Sequence, residues 1–201
     1  MKKIFLSVVI MSATVFAAKA QVGLGIKGGA NFSTLGGDAA DFDGKKSNTG
    51  FHAGVFANIP FSEHFSFKPE AQYSTSEGFE YRPNNTTELN YNLSYINVPL
   101  MVQFKSDKGL YGEIGPYAGF LVSAKQKLNV SGTKTESDVK DNFESIDLGG
   151  SVGVGYIMPS GFGVGARYNM GLKNIYDGSS EFKNRLWQVS LLYMCKSKKS
   201  K

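Results

Sequence analysis

The sequence predicts an all-β chain that folds as one antiparallel, up-and-down transmembrane barrel of eight strands, preceded by a cleaved signal peptide. Two observations carry this prediction. Apolar and polar residues alternate with a period of two in eight segments, and the connections between these segments are alternately short and long. A length of 201 residues fits one domain, and 13% aromatic residues exclude an intrinsically disordered chain.

The start of the chain is typical of a secretory signal. Two lysines are followed by an apolar run over residues 4–18, and the Ala-Lys-Ala that ends at residue 20 fits a small-x-small cleavage site. This run is shorter than the ~20 residues that a membrane-spanning helix needs. We therefore expect a signal peptide at residues 1–20, an outer-membrane β-barrel at residues 21–195 and a lysine-rich periplasmic tail at residues 196–201.

The basic character of the chain is confined to its two ends. The formal net charge is +5 at pH 7, but three lysines lie in the signal and four in the last six residues, which leaves 15 basic and 17 acidic residues between them. No basic surface for nucleic acid is therefore expected. Cys195 is the only cysteine, which excludes an internal disulfide, a cysteine-based zinc site and a lipid-modified cysteine near the cleavage site.

Each predicted strand has one apolar face and one face of small or polar side chains. In chain order the strands are residues 22–33, 49–59, 65–74, 91–104, 110–123, 146–156, 162–173 and 187–193. Their apolar faces carry, strand by strand, Leu24 and Ile26, Phe51 and Val55, Phe65 and Phe67, Val98 and Leu100, Ile114 and Phe120, Val152 and Val154, Val164 and Tyr168, and Trp187 and Val189. In the fourth strand Tyr91, Leu93 and Tyr95 share one phase and the apolar residues from Ile96 onward take the other, which predicts a β-bulge near Tyr95.

The lengths of the connections predict where the two ends of the barrel face. Short turns are expected at residues 61–64, 106–109 and 159–161, and long polar loops at residues 34–48, 77–90, 125–142 and 175–184. Strict alternation over eight strands places every long loop at one end and both termini at the other. This layout is typical of a bacterial outer-membrane barrel, with its long loops outside the cell.

The character of the two faces favours a membrane barrel over a soluble one. A soluble barrel has an apolar interior and charges at every second position of its surface. In this chain the apolar faces lack charge through the strand centres, whereas the opposite faces are rich in Gly, Ser and Asn, which suits a narrow interior. The alternative is a soluble β-barrel that binds a small apolar ligand.

Six short motifs follow one another along the predicted strands. They are Gly28-Gly29-Ala30-Asn31-Phe32-Ser33, Lys68-Pro69-Glu70-Ala71-Gln72-Tyr73-Ser74, Tyr95-Ile96-Asn97-Val98-Pro99-Leu100-Met101, Gly115-Pro116-Tyr117-Ala118-Gly119, Asp147-Leu148-Gly149-Gly150 and Arg167-Tyr168-Asn169-Met170-Gly171-Leu172. In this order they resemble the PorT-like outer-membrane β-barrel family of Bacteroidetes, over essentially residues 21–193. The resemblance implies an eight-stranded barrel in the cell outer membrane, in contact with its lipid and inserted by the barrel-assembly machinery.

The family takes its name from a member linked to gliding and protein secretion. Its members commonly end on an aromatic residue of the last strand, a feature recognised by the assembly machinery. In this chain Tyr193 is followed by Met194, Cys195 and the lysine-rich tail, which departs from that pattern.

Seven charged residues lie on the polar phase of their strands and are predicted to meet inside the barrel. Unpaired charges there would be prohibitively costly, so we expect ion pairs across the lumen, with a structural role. A narrow ion path is the alternative. The seven residues are Lys27, Lys68, Glu70, Glu113, Asp147, Arg167 and Lys173.

Two patterns that suggest chemistry are weak in this context. Residues 23–28 match a dinucleotide-binding G-x-G-x-x-G pattern, but a strand runs through them where the motif needs a strand, a turn and then a helix. His52, with Ser33 across on the first strand and Asp41 or Asp43 in the adjacent loop, has the residue types of a hydrolase triad. A hydrogen bond in the lumen explains His52 equally well, so no catalytic, cofactor-binding or metal-binding residue is predicted.

The predicted function is that of a non-enzymatic scaffold in the outer membrane. Its long loops, above all residues 38–46, 79–88 and 127–140, are the expected contact surfaces for an extracellular partner. The alternative is an accessory of protein secretion or envelope assembly that meets a periplasmic partner through the short turns or the tail.

Overall fold

The structure, a computed structural model, describes residues 22–37, 45–75, 79–84, 87–130, 133–174 and 182–195. The predicted signal peptide at residues 1–20 and the tail at residues 196–201 lie outside the described residues. No helix in the described part of the chain is long and apolar enough to cross a membrane.

The described chain folds into strands that are all antiparallel to their neighbours. They are β1 (Gly23–Gly37), β2 (Lys45–Pro60), β3 (Phe65–Ser74), β4 (Phe79–Asn84), β5 (Thr87–Lys105), β6 (Leu110–Val130), β7 (Thr133–Asp138), β8 (Ile146–Ile157), β9 (Phe162–Gly171) and β10 (Phe182–Cys195). A single 3₁₀ turn, Lys140–Asn142, lies between β7 and β8. The all-β prediction is confirmed.

These ten described strands close into a ring with eight strand positions. β3 and β4 together occupy one position, and β7 and β8 together occupy another. β3 and β4 pair with β2 in one continuous register, from His52 opposite Ser74 to Ser47 opposite Phe79. β7 and β8 likewise follow each other along β6. The first and last strands close the ring through pairs such as Phe32 opposite Trp187. The predicted eight-stranded, up-and-down barrel is therefore confirmed.

The short connections and the ends of β1 and β10 lie at one end of the barrel, which we call the inner end. Gly109 and Gly161 have φ of 92° and 97° in two of these turns, a conformation that side chains with a Cβ rarely adopt. The opposite end, called the outer end here, carries the long connections. There the strands run further than predicted, because residues 34–37, 45–48, 79–84, 87–90, 125–130 and 133–138 are strand where loops were expected.

The predicted bulge near Tyr95 is present as a register shift, but the same alternate residues of β5 point into the lumen on both sides of it. The pairing with β6 shifts between Ser94 and Tyr95, and the extra residue, Val122, lies on β6. Leu93 and Tyr95 are therefore buried in the lumen with the rest of their phase. The phase change that the sequence suggested for β5 was wrong, because these two apolar side chains pack inside the barrel.

The wall of the barrel has its apolar side chains outside and its polar side chains inside. Leu191, Ile114 and Val154 are 70%, 65% and 63% exposed, whereas buried side chains of the lumen are largely polar. Ring pairs lie in the outward apolar band: Phe162 with Tyr193 at the inner end, and Tyr168 with Trp187 nearer the outer end. This is the distribution of a barrel with lipid around it and a polar interior.

Val152 tests the assignment of the outward face to lipid. It lies in the middle of β8, is 51% exposed and pairs with Ile114 and Tyr168. Val152→Arg should lower the free energy of unfolding by about 2–4 kcal/mol, because the charge would enter hydrocarbon. The measurement is urea unfolding of the refolded protein in lipid vesicles. Ser137→Arg, on exposed β7, is the control, and equal losses at the two positions would contradict the lipid assignment.

Candidate functional site

Five of the seven predicted lumen charges form one cluster at the middle of the barrel. Arg167 on β9 lies between Glu70 on β3 and Glu113 on β6, and Lys27 and Lys68 approach the same two carboxylates. All five residues are between 1% and 7% exposed. We call these five residues the charge cluster.

Arg167 holds both carboxylates of the charge cluster. Its Nη1 and Nη2 each donate to a different oxygen of Glu70 at 2.8 Å, and its Nε donates to Glu113 Oε1 at 2.9 Å. This bidentate arrangement suits the planar guanidinium and compensates for the loss of hydration of all three groups. Lys68 Nζ lies 3.2 Å from Glu70 and 3.1 Å from Glu113, whereas Lys27 Nζ contacts only Glu70, at 3.3 Å.

An apolar layer closes the lumen on the inner side of the charge cluster. Phe56, Tyr111, Ile157 and Leu192 pack together there. Lys68 Nζ lies 4.6 Å from the centre of the Phe56 ring and 5.5 Å from that of Tyr111, so cation–π contacts join the two layers. Glycines make room for the rings: a Cβ at Gly25 would overlap Phe56, and a Cβ at Gly155 would overlap Tyr111.

A hydrogen-bonded polar layer lies on the outer side of the charge cluster. His52 Nδ1 is 2.8 Å from Asn31 Oδ1, and His52 Nε2 is 2.9 Å from Ser190 Oγ. Asn31 Oδ1 also accepts from Gln188 Nε2 at 3.1 Å, and Asn31 Nδ2 donates to Ser74 Oγ at 2.8 Å. The layer thus joins side chains of four neighbouring strands inside the lumen.

The order Ser190, His52, Asn31 is that of a hydrolytic triad, but its surroundings favour a structural role. Ser190 is 5% exposed and His52 1%, so an acyl substrate has no route to the hydroxyl. The backbone around Ser190 pairs with both neighbouring strands, which leaves no free N–H pair to stabilise an oxyanion. Ser33, the serine considered from sequence, donates to the carbonyl of Asn48 instead, and Asp41 and Asp43 lie outside the described residues.

Asp147 and Lys173, the other two predicted lumen charges, lie apart from the charge cluster. Asp147 Oδ2 accepts from Tyr117 Oη at 3.0 Å and from Asn184 Nδ2 at 2.9 Å near the outer end. Lys173 pairs with Glu144 at 2.9 Å, with both side chains 41% exposed. Both residues lie several positions nearer the outer end than the charge cluster, which is why the expected pairing across the lumen does not include them.

A second apolar layer lies in the lumen near the outer end. Leu93 and Tyr95 of β5 pack with Leu121 and Ala124 of β6 and with Phe143, which follows the 3₁₀ turn. From the inner to the outer end, the lumen therefore contains an apolar layer, the charge cluster, the polar layer and a second apolar layer. These layers place buried side chains along the lumen, as expected for eight strands.

Beyond the apolar band, the outer end carries a cleft of about 380 Å³, which we call the outer cleft. Three neighbouring strands form it. Its lining residues are Glu88 and Asn90 of β5, Lys127, Leu128 and Asn129 of β6, and Lys134, Thr135 and Glu136 of β7. Lys125 Nζ donates to Glu136 Oε1 at 2.6 Å, and Lys127 Nζ lies 3.7 Å from the other oxygen.

Reasoning from sequence missed the partners of His52 and both apolar layers. Asn31 and Ser190 lie on the polar phase of β1 and β10, so strand phase alone would have placed them in the lumen. Strand phase does not give the height along the barrel axis at which two side chains meet, because that height depends on the strand registers.

The charge cluster contains three cations and two carboxylates, so its members should differ in their contributions to stability. Arg167→Met should lower the free energy of unfolding by about 3–5 kcal/mol, because two buried carboxylates lose their main partner. Lys27→Met should cost less than about 1 kcal/mol, because it leaves two cations facing two carboxylates. Urea unfolding in lipid vesicles measures the free energy of unfolding of both variants. Equal decreases for Arg167→Met and Lys27→Met would contradict the idea that Arg167 is the main partner of the two carboxylates.

The ion pair at the outer cleft should make the titration of Glu136 depend on Lys125. The hydrogen bond from Lys125 lowers the pKa of Glu136 below 4.5 and raises the pKa of Lys125 above 10.5. Because the pKa of Glu136 is lowered in the folded hairpin, the pair is complete at neutral pH and is lost as the pH falls through that lowered value. Lys125→Ala should move the pKa of Glu136 back towards 4.5 in a carboxyl ¹³C titration. Lys140→Ala is the control and should leave it unchanged.

Comparisons with known proteins agree with this architecture. Neisserial surface protein A has a TM-score of 0.54 and 13% identity, over 85% of this chain and 96% of that one. Ail, the attachment invasion locus protein of Yersinia pestis, solved in complex with the heparin analogue sucrose octasulfate, has a TM-score of 0.50 and 17% identity, over 87% of this chain and 99% of that one. At these identities the likeness shows the fold. No curated protein sequence matches the chain.

The family profile described as outer membrane protein beta-barrel domain matches residues 16–177. This match covers most of the chain, and it agrees with the ring of eight strands and with the apolar outer wall. The chain therefore belongs to the outer membrane protein beta-barrel domain family and is located in the outer membrane.

Proposed function

We propose that this protein is a non-enzymatic scaffold that presents its outer strands and loops to a partner, while its lumen stays closed. The observation that carries the proposal is the layered filling of the lumen. Two apolar layers lie on either side of an ion-paired charge cluster and a polar layer, so the side chains occupy the space that ions or a substrate would need. The buried triad-like chain at Ser190 is part of this filling.

Export and assembly complete the proposal. The predicted signal at residues 1–20 would direct the chain across the inner membrane, and the barrel-assembly machinery would insert it. The motifs that resemble the PorT-like family of Bacteroidetes support this route. If the protein is a scaffold, its partner would bind at the outer end, where β4, β6 and β7 extend beyond the apolar band.

A role as an accessory of protein secretion would place the contacts at the inner end instead. The two roles make different demands on the chain. Shortening the β6–β7 hairpin should abolish the cellular function of a scaffold that acts outside the cell, and altering the turn at residues 106–109 should not. The reverse result would favour the secretion role.

Conductance tests the closed lumen. The refolded wild-type protein should give no steady current in planar lipid bilayers, because paired side chains fill the barrel. A porin added to the same bilayer is the control that shows that channels can be detected. A steady, ion-selective current from the wild-type protein would refute the scaffold and identify a narrow channel.

A further inference from the structure

The outer cleft lies on the same side of the sheet as the wall that faces lipid. On β6 the outward positions change from Phe120 and Val122, both exposed and apolar, to Lys125 and Lys127. Lys127 pairs with Asn90 of β5 on one side and with Glu136 of β7 on the other. Paired residues of neighbouring strands lie on the same face of the sheet, so Asn90 and Glu136 also face outwards. The cleft is therefore a continuation of the lipid-facing surface and not part of the lumen.

The height of the cleft places it among the headgroups of the outer leaflet. Lys127 is five positions beyond Val122, which is ~17 Å along a strand and roughly 13 Å in height at the usual strand tilt. Phospholipid headgroups extend only about 5–8 Å beyond the hydrocarbon on each side. A headgroup that reaches the cleft must therefore be a larger one, such as the saccharide of a glycolipid.

The charges of the cleft favour a sugar over a simple anion. Lys127 and Lys134 share the lining with Glu88 and Glu136, and Lys125, which pairs with Glu136, lies beside it, so cations and carboxylates are mixed there. Lysine donates hydrogen bonds, carboxylate accepts them, and asparagine does both. A sugar hydroxyl is both a donor and an acceptor, so a saccharide can pair with donors and acceptors alike, whereas a phosphate would lie against two carboxylates.

The acceptor at the centre of the cleft is already fixed in place. Glu136 is held from one side by Lys125 at 2.6 Å and from the other by Lys127 at 3.7 Å. A carboxylate fixed in this way loses little conformational entropy when it accepts from a ligand hydroxyl.

We propose that the outer cleft binds the saccharide headgroup of a glycolipid in the outer leaflet. This inference rests on the proposed function, since it names the partner of the outward scaffold surface. Glycolipid contacts at this level would stabilise the β6–β7 hairpin at the outer end of the barrel wall and would anchor the barrel to the outer leaflet.

Retention of glycolipid by the purified protein tests the proposal. The full chain, refolded in lauryldimethylamine oxide, which carries no sugar, is mixed with a lipooligosaccharide that has an intact inner core, and native mass spectrometry measures the bound fraction. Lys134→Ala with Asn129→Ala should weaken binding about tenfold or more, because donors to the sugar are lost. Lys140→Ala is the matched control, because this exposed lysine lies outside the cleft, and it should bind like the wild type.

Three probes separate the alternatives. Phosphatidylglycerol, which is anionic, should show no difference between the wild type and the double variant, and enzymatic dephosphorylation of the lipooligosaccharide should leave its binding largely intact. If Lys134→Ala and Lys140→Ala weaken binding equally, or if dephosphorylation abolishes it, charge attraction is the cause and the proposal is overturned. The released core oligosaccharide should bind much more weakly than the lipid. Equal binding would point to a soluble glycan and overturn the lipid source.

Failure of this proposal can be told apart from failure of the scaffold role. The binding measurement does not depend on whether the lumen conducts, and the conductance measurement does not depend on the cleft. A closed barrel that retains no lipooligosaccharide would leave the scaffold role standing and remove only the glycolipid.

Discussion

The closure of the β-ladder within lipid is the constraint on which the rest of this structure depends. Hydrocarbon offers no hydrogen-bonding partner, so each backbone N–H and C=O in the membrane must pair inside the protein. The pairing of β1 with β10 removes the last two edges and completes the ring. Once the ring is closed, every second side chain points to lipid and the others point into a narrow lumen, which fixes the apolar and polar faces of every strand.

The narrowness of an eight-stranded ring then determines how the lumen is filled. Charged side chains that enter it lose their water, and they are tolerated because Arg167 neutralises two carboxylates at once. The rings of Phe56 and Tyr111 fit because the paired residues on neighbouring strands, Gly25 and Gly155, have no side chain. Chemistry inside this barrel is limited by the same fact, since His52, Ser190 and Asn31 are aligned but cannot be reached.

The parts of the fold that follow from the period of two could be predicted from sequence, and the parts that depend on register could not. The number of barrel strands, the short turns and the placement of Glu70, Glu113 and Arg167 inside all follow from strand phase. Whether two inward charges meet depends on their heights along the axis, and for this reason Asp147 and Lys173 lie apart from the other five. Leu93 and Tyr95 misled the prediction because an apolar side chain on the inward phase looks like a change of face.

Above the membrane, the constraints change, which explains why the loops were predicted too long. Water satisfies backbone groups there, so neither face of a strand has to be apolar, and the sequence of β7, with all six residues exposed, shows no alternation to mark it as a strand. Its backbone pairing with β6 continues the ladder without the pattern that lipid imposes. The outer strands are therefore free to vary their side chains on both faces, whereas the barrel below can change little. In a scaffold of this kind, binding specificity must lie in the part of the sheet that lipid does not constrain.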